Sequence, residues 1–201
     1  MKEVLLSTTY FGPIQWYQKL YRAEEVFIER CENFQKQTYR NRCIIATTNG
    51  LQALTVPVER NQGDLIRPLC ISDHGNWRHL HWNALLSAYG ESPFFDYYQD
   101  DIRPFFERRW DYLLDFNEAI REKMCELLDI QPKVKFTDSW NEECGMRSDF
   151  RSAIRPKHPE PDPDFTPKHY YQVYEQKHGF LPNLSILDLL FNMGPESIFY
   201  L

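Results

Sequence analysis

The stretch that decides the fold runs from Glu3 to Glu29 and reads EVLLSTTYFGPIQWYQKLYRAEEVFIE. Residues 3–9 begin with an apolar run that is typical of a buried strand. Gly12-Pro13 then opens a helix, with proline at its favoured first position, and the helix is predicted to reach about Ala23. Residues 25–29 predict a second strand. A strand, a helix and a strand within about 30 residues indicate a right-handed unit with parallel strands.

The rest of the chain extends this unit. Residues 42–58 predict a β-hairpin that extends the parallel sheet, because Asn49-Gly50 separates two β-rich runs. Residues 77–90 and 94–128 carry helical patterns, and residues 134–136 predict a return to the sheet. The resulting fold class is α/β, with a Rossmann-like strand-helix-strand start, a β-hairpin extension and a helical C-terminal half. We expect a single domain over residues 1–201.

Two segments near the C-terminus have distinct compositions. Residues 141–167 contain five prolines, which predict a long loop or a lid within the domain. Residues 184–191 predict a helix with Ser185 as its N-cap. The apolar stripe of that helix is typical either of a core element or of an interface with a protein partner or a second copy.

Composition narrows the function classes. The 201 residues are 42% hydrophobic and 26% charged, with a net charge of −6, which disfavours nucleic acid as a partner. The five cysteines include no Cys-x-x-Cys pair, and the histidines at 74, 79 and 81 do not share one helix face, so we expect reduced thiols and neither a metal site nor a cofactor. The chain has neither a signal peptide nor an apolar run of about 20 residues, which predicts a cytoplasmic protein without a membrane span.

The strongest chemical signal is the loop Asn33-Phe-Gln-Lys-Gln-Thr-Tyr-Arg-Asn-Arg42. Lys36, Arg40 and Arg42, beside the amide of Asn41, are suited to bind an anionic ligand, since arginine contacts carboxylate and phosphate through two parallel hydrogen bonds. The alternative is internal pairing of these cations with acidic neighbours such as Glu29 or Glu32.

The turn before the first helix is a second candidate for anion binding. Free N–H groups at a helix N-terminus attract anions, and ligands of doubly wound sheets bind beyond the carboxyl ends of the strands. We therefore expect Tyr10 and Gln15 to join Lys36, Arg40 and Arg42 in one electropositive pocket. The alternative is a packed turn in which Pro13 only starts the helix, because the chain has no Gly-x-Gly-x-x-Gly motif.

Two further residues are weaker candidates. His81 lies on the apolar stripe of the 77–90 helix and has a side chain suited to general base catalysis. A hydrogen-bonded core histidine is the favoured alternative, because no partner nucleophile is identifiable. Gln172 is placed to orient a sugar hydroxyl or an amide, or to pack beside the C-terminal helix.

Several collinear motifs resemble the WbqC-like protein family. They are Tyr10-Phe-Gly-Pro-Ile-Gln15, residues 35–42, Leu54-Thr-Val-Pro-Val58, residues 89–95, and residues 171–195 with the run GFLPNLSILDLLFNMGP at their end. The resemblance covers most of the chain, which looks like a short form without the middle segment of longer members. It implies a bacterial protein of surface-polysaccharide assembly, since the family takes its name from a protein encoded among O-antigen biosynthesis genes.

Two functional hypotheses follow. The first is a transferase that acts on an anionic substrate, phosphorylated or nucleotide-activated, for which the cationic loop, the first turn and the resemblance argue. The second is a non-catalytic binding or scaffolding protein of a polysaccharide-assembly complex. The second rests on the abundant aromatic residues and on the lack of a clear nucleophile or acid–base pair.

Overall fold

A computed structural model describes residues 2–59, 64–140 and 147–201. Its first unit is strand β1 (Glu3–Ser7), helix α1 (Ile14–Arg22) and strand β2 (Glu25–Glu29), and the two strands pair in parallel from Glu3 with Glu25 to Ser7 with Glu29. The predicted strand-helix-strand start is therefore confirmed. Val4, Leu6, Val26 and Ile28 are completely buried, and the burial of these apolar side chains stabilises the unit.

Strands from distant parts of the chain complete the parallel sheet. Strand β5 (Val134–Phe136) pairs with β2, as residues 134–136 predicted, and strand β6 (Ser148–Asp149) pairs with β1. The sheet order is β5-β2-β1-β6. The chain adds β2 and then β5 on one side of β1, and it later adds β6 on the other side of β1. The direction in which strands are added therefore reverses between β1 and β6.

The predicted hairpin forms, but it does not extend the parallel sheet. Strands β3 (Arg42–Thr47) and β4 (Gly50–Thr55) make a separate two-stranded antiparallel sheet. The carbonyl oxygen of Ile44 accepts a hydrogen bond from the Ser185 N–H at 2.8 Å, so the C-terminal segment contacts β3 where the prediction placed the parallel sheet. Beyond the hairpin, Cys70 and Ile71 form only isolated bridges, with Tyr112 and Val58.

Helices make up most of the remaining structure. They are α2 (Trp77–Tyr89), preceded by a 3-10 turn at His74–Asn76, then α3 (Phe95–Ile102), α4 (Pro104–Glu107), α5 (Leu113–Leu127), α6 (Glu175–His178) and α7 (Ile186–Met193), and a second 3-10 turn follows at Gly194–Tyr200. Within the described ranges, no helix is long and apolar enough to cross a membrane.

The Pro-rich segment differs from a solvated loop where it is described. Residues 141–146 lie outside the described residues. The remainder contains β6, and Ala153 and Ile154 are buried. Residues 150–167, which we call the strap, therefore contact the body of the protein at their buried N-terminal part, whereas most of residues 157–167 are exposed.

Helix α7 lies at the centre of the core. Ser185 caps it by accepting a hydrogen bond from the Leu187 N–H at 3.3 Å, as predicted, and every residue from Ile186 to Asn192 is buried. The apolar stripe of this helix is therefore covered by the chain itself.

A buried carboxylate joins α7 to the rest of the core. Asp188 is 1% exposed, and its two oxygens accept hydrogen bonds from the hydroxyls of Tyr89 and Tyr170, both at 2.8 Å. The amides of Gln172 and Asn192 also donate to it, at 3.3 and 3.4 Å. Burial nevertheless raises the pKa of Asp188 to about 6, against the opposing effect of these donors.

The raised pKa makes part of the stability depend on pH. Between pH 3.8 and about 6 the folded state binds more protons at Asp188 than the unfolded state, so the free energy of unfolding falls as pH rises through this window. We expect Asp188→Asn to remove this dependence. In urea unfolding, the stability of the variant relative to the wild type should improve by about 2 kcal/mol between pH 4 and pH 7. An unchanged difference at the two pH values would contradict the assignment.

Candidate functional site

Charged side chains collect at the carboxyl ends of the parallel strands. β1 ends at Ser7, β2 at Glu29 and β6 at Asp149, and Thr137 follows β5 directly. Glu32 and Arg151 lie two or three residues beyond β2 and β6. These side chains and Arg40 form what we call the charge array. In open α/β sheets, ligands bind outside the carboxyl ends where the strand order reverses, and here that place lies between β1 and β6.

Arg151 joins the ends of two strands. Its guanidinium donates to Asp149 Oδ2 through Nη2 at 2.7 Å and to Glu29 Oε2 through Nη1 at 3.2 Å. It also lies 4.5 Å from the centre of the Trp140 ring. Burial alone would lower the pKa of Arg151, but Asp149, Glu29 and Glu32 outweigh it and raise the pKa, so the guanidinium stays charged.

Glu29 is fully satisfied although it is buried. Its Oε1 accepts hydrogen bonds from the Cys31 N–H at 2.7 Å and from the Thr137 hydroxyl at 2.6 Å, while Oε2 faces Arg151. Because its side chain is only 1% exposed, this carboxylate has exchanged water for protein donors on both oxygens.

Arg40 and Glu32 form the second half of the charge array. Arg40 Nε donates to Glu32 Oε1 at 2.8 Å, Nη2 makes a further contact with Oε2, and Nη2 also donates to the Ser7 hydroxyl at 2.7 Å. The two side chains are 3% and 1% exposed. For Arg40 the structure thus shows internal pairing with Glu32, which was the alternative to ligand binding.

The N-terminus of α1 is already covered. The Ile14 N–H donates to the Leu184 carbonyl at 3.0 Å, and the Gln15 N–H donates to Asn183 Oδ1 at 2.9 Å. The donors that the sequence offered to an anion are therefore used by the segment before α7. The hydroxyls of Thr8 and Thr9, which precede this turn, are buried and have no hydrogen-bond partner among the described residues.

Several of the predicted site residues are already hydrogen-bonded to other parts of the chain. Tyr10 donates its backbone N–H to the Tyr39 carbonyl at 2.9 Å, so the first turn does lie against the 33–42 loop. The Tyr10 hydroxyl, however, is buried and hydrogen-bonded to His81 Nδ1 at 2.9 Å. The Asn41 side-chain amide donates to the Val56 carbonyl at 2.7 Å, which joins the two ends of the hairpin.

Arg42 and Lys36 are the cations of the loop that stay accessible. Arg42 is half-buried, and its Nε donates to the Thr55 hydroxyl at 2.9 Å across the hairpin. Its terminal nitrogens have no partner within the described ranges. Lys36 is exposed, and its neighbour Gln37 accepts a hydrogen bond from Lys157 of the strap at 3.1 Å.

The two glutamines among the candidates have separate surroundings. Gln172 donates to the Tyr170 hydroxyl at 3.0 Å and to the Leu181 carbonyl at 2.9 Å, and it belongs to the Asp188 network. Gln15 instead contacts the strap, because its Nε2 donates to Asp162 Oδ2 at 2.8 Å.

His81 has the surroundings of a core histidine. It is 6% exposed, and Trp77 and Phe106 pack around its ring. Burial lowers the pKa of His81 to about 4, against the opposing effect of a hydrogen bond with the Thr55 backbone. At neutral pH the imidazole is uncharged and is a weak base, which argues against a role in general base catalysis.

Sequence reasoning missed Lys19 and Asp162 as parts of this region. Glu29 and Glu32 were noted only as partners for the loop cations. Their place in the sequence could have identified them as site residues. Glu29 ends a predicted parallel strand and Glu32 follows it, and ligands bind beyond the carboxyl ends of such strands. For Asp162 no local pattern was available, because nothing in a Pro-rich segment indicates which side chain will be buried.

Fold and site together define an α/β protein with a four-stranded parallel sheet and a charged cluster at the reversal point of that sheet. The chain belongs to the WbqC-like protein family, whose model matches residues 8–154 and 161–200. The match is interrupted inside the strap.

The comparisons also found a relative in Mycobacterium tuberculosis, "Uncharacterized protein Rv1507c", which is 29% identical over 229 aligned positions. The alignment covers 100% of this chain and 98% of the relative. Because this chain has only 201 residues, at least 28 aligned positions have no counterpart in it. No solved structure matches the chain.

The pairing of Arg40 with Glu32 predicts that both are needed for folding. Arg40→Met should lower the free energy of unfolding by about 3–5 kcal/mol, because Glu32 would remain buried without its partner. The double variant Glu32→Leu/Arg40→Met should recover a large part of this loss. Urea unfolding of the two single variants and the double variant measures the coupling. Additive losses would show that the pair is not coupled.

His81 predicts a pH dependence opposite to that of Asp188. Between about pH 4 and pH 6.5 the folded state binds fewer protons at His81 than the unfolded state, so stability rises with pH through this window. His81→Gln should be less stable than the wild type at pH 7, and the gap should narrow by about 3 kcal/mol on acidification to pH 4. A constant gap in urea unfolding would rule out the lowered pKa.

Proposed function

We propose that this chain is a transferase-like protein of bacterial surface-polysaccharide biosynthesis that binds an anionic substrate, either phosphorylated or nucleotide-activated. The observation that carries the proposal is the charge array at the carboxyl ends of the parallel strands, at the reversal point between β1 and β6. Membership in the WbqC-like family supports the cellular role, through the resemblance that the motifs carry.

Burying charged side chains costs free energy. Glu29, Glu32, Arg40 and Arg151 are all less than 10% exposed, and a buried ion pair is often no more stable than apolar residues of the same volume. A chain that keeps four such groups at the place where α/β proteins bind ligands is using them for more than stability. Clusters of buried charge in this position are typical of functional sites.

The accessible edge of the array suggests how a substrate would be held. The side chain of Asp149 is 30% exposed, whereas those of Glu29 and Glu32 are 1% exposed. Asp149 is therefore the carboxylate best placed to contact the acceptor group of a transfer reaction. Trp140, 47% exposed beside Arg151, offers a ring on which a sugar or a base can stack.

The cations of the proposed anion site lie on two adjoining segments. Lys36 is exposed and precedes Gln37. The side chain of Gln37 accepts a hydrogen bond from Lys157 of the strap. Arg42 keeps its terminal nitrogens for a ligand, because only its Nε contacts another described residue. In this proposal Arg40 stays paired with Glu32 and Ser7 and does not contact the substrate.

A non-catalytic scaffolding role is the competing proposal, and one observation limits it. The apolar stripe of α7 is buried in the chain's own core, so that surface is not offered to a partner. Exposed aromatic side chains occur elsewhere, with Tyr97 and Phe199 more than 70% exposed. A scaffold would have to use surfaces of that kind.

The proposal predicts nucleotide-sugar or sugar-phosphate binding that depends on Arg42 and Lys36. A thermal-shift screen of nucleotide sugars, sugar phosphates and phosphorylated acyl donors should give a ligand, which at 100 times its dissociation constant adds about 2.7 kcal/mol of stability. Arg42→Ala should then weaken binding roughly 10- to 150-fold through loss of a charge-assisted contact of ~1.5–3 kcal/mol. Arg42→Lys should restore binding only in part, since lysine lacks the planar fork.

Calorimetric titration of the ligand measures these affinities, and Lys133→Ala is the matched control. Lys133 is an exposed lysine directly before β5, at the opposite end of the sheet, so its replacement should leave binding unchanged. Equal losses in Arg42→Ala and Lys133→Ala would indicate non-specific attraction. A stoichiometric protein partner together with no response to any screened anion would favour the scaffold.

A further inference from the structure

Lys19 of α1 is buried in an unusual way. Its side chain is 0% exposed, and its ammonium lies 2.6 Å from Asp162 Oδ2 in the strap. The Phe150 ring lies 4.6 Å from the same nitrogen. Among the described residues Asp162 is the only carboxylate paired with Lys19. The fully buried ammonium has no hydrogen-bond partner among the described residues, so it depends on one ion pair, whose carboxylate comes from a segment without helix or strand.

Gln15 contacts the same carboxylate oxygen. It lies one helical turn before Lys19 on α1, and its Nε2 donates to Asp162 Oδ2 at 2.8 Å. The side-chain amide of Gln15 is also oriented by Asn183, whose Nδ2 donates to Gln15 Oε1 at 3.0 Å. A cation and an oriented N–H donor therefore converge on one oxygen. Both belong to a rigid helix, and only the acceptor belongs to the strap.

The strap presents Asp162 from a turn of its own. The Asp164 N–H donates to Asp162 Oδ1 at 3.2 Å, and the Phe165 N–H donates to the Asp162 carbonyl at 3.1 Å. Prolines at 156, 159, 161, 163 and 167 surround this turn. Proline restricts the unfolded as well as the folded backbone, so the strap loses little entropy on docking and gains little on release.

We propose that Lys19 and Gln15 form a binding site for an oxyanion, a phosphate or carboxylate group, and that Asp162 occupies this site as an internal stand-in. This inference rests on the proposed function, because it assigns the oxyanion to the anionic substrate of the same protein. The exchange keeps an anion beside the ammonium: an incoming oxyanion replaces the aspartate at Lys19 and accepts the Gln15 N–H. Displaced Asp162 moves into water, where a carboxylate is well solvated.

The tethered carboxylate lowers the affinity for a free anion by a definite amount. A ligand that binds only the open state has an apparent dissociation constant equal to its intrinsic value divided by the fraction of open molecules. If the strap is closed in at least nine molecules of ten, removing the Asp162 carboxylate should strengthen binding about tenfold or more.

The test is calorimetric titration of pyrophosphate, at low salt, into the full chain and four variants. Asp162→Ala and the isosteric Asp162→Asn should bind pyrophosphate at least about tenfold more tightly than the wild type. Lys19→Met/Asp162→Ala should lose the gain, because the cation is gone while no buried charge is left unpaired. Asp164→Ala, an exposed aspartate of the same strap, should match the wild type.

Three results would overturn the inference: wild type and both Asp162 variants with equal affinity for pyrophosphate and also equal affinity for malonate, a gain that persists without Lys19, or the same gain in Asp164→Ala. A parallel titration with malonate separates a carboxylate ligand from a phosphate ligand. A gain with either anion supports the site, and a gain with neither overturns it.

A second measurement needs no variant. Hydrogen exchange of residues 150–167 in the wild type should accelerate at saturating pyrophosphate, because the anion releases the strap. Unchanged exchange would overturn the stand-in role even if the variants fail to fold. The outcome is separable from that of the proposed function. Nucleotide-sugar binding that depends on Arg42, with no effect of Asp162, would keep the proposed function and reject this inference. A gain that depends on Lys19, with no nucleotide-sugar binding, would do the reverse.

Discussion

The backbone hydrogen bonds of residues 184–186 are the constraint on which the rest of the structure depends. The carbonyl of Leu184 accepts from the Ile14 N–H at 3.0 Å, the Ile186 N–H donates to the Gly12 carbonyl at 2.9 Å, and the Ser185 hydroxyl donates to the Phe11 carbonyl at 2.8 Å. The same segment holds the hairpin through Ile44. One tripeptide thereby joins the first turn, the hairpin and the start of α7. Buried backbone groups must be paired, so none of these elements can shift alone.

This junction also decides what the first turn can do. A helix N-terminus beyond a parallel strand is a common anion site, but its donors serve only one acceptor at a time. Here the acceptors come from residues 183 and 184, so substrate recognition has to be sought in side chains. The charge array then becomes the best candidate, because it lies at the same end of the sheet and spans the reversal point.

The charged groups of the region are each paired with opposite charge from within the chain, which has a physical reason. Single buried charges are costly, whereas paired and hydrogen-bonded charges are tolerated. Arg40 with Glu32, Arg151 with Glu29 and Asp149, and Lys19 with Asp162 each satisfy this requirement within the chain. A site built in this way binds a new anion by exchange, in which the anion replaces an existing carboxylate. The strap fits such exchange, since it contributes the carboxylate that is least tied to regular structure.

The sequence by itself determined the elements whose signals are local. Alternating and helical apolar patterns, Gly12-Pro13 and the Ser185 cap predicted the parallel start, the hairpin and α7, because these patterns reflect which face each element buries. It also indicated a charged loop at residues 33–42, since composition is visible without coordinates. Only the tertiary structure decided the partners: Arg40 with Glu32, Tyr10 with His81, and Asp162 with Lys19 and Gln15. Such pairs join residues up to 147 positions apart, and a side chain's local sequence does not encode which distant group will satisfy it.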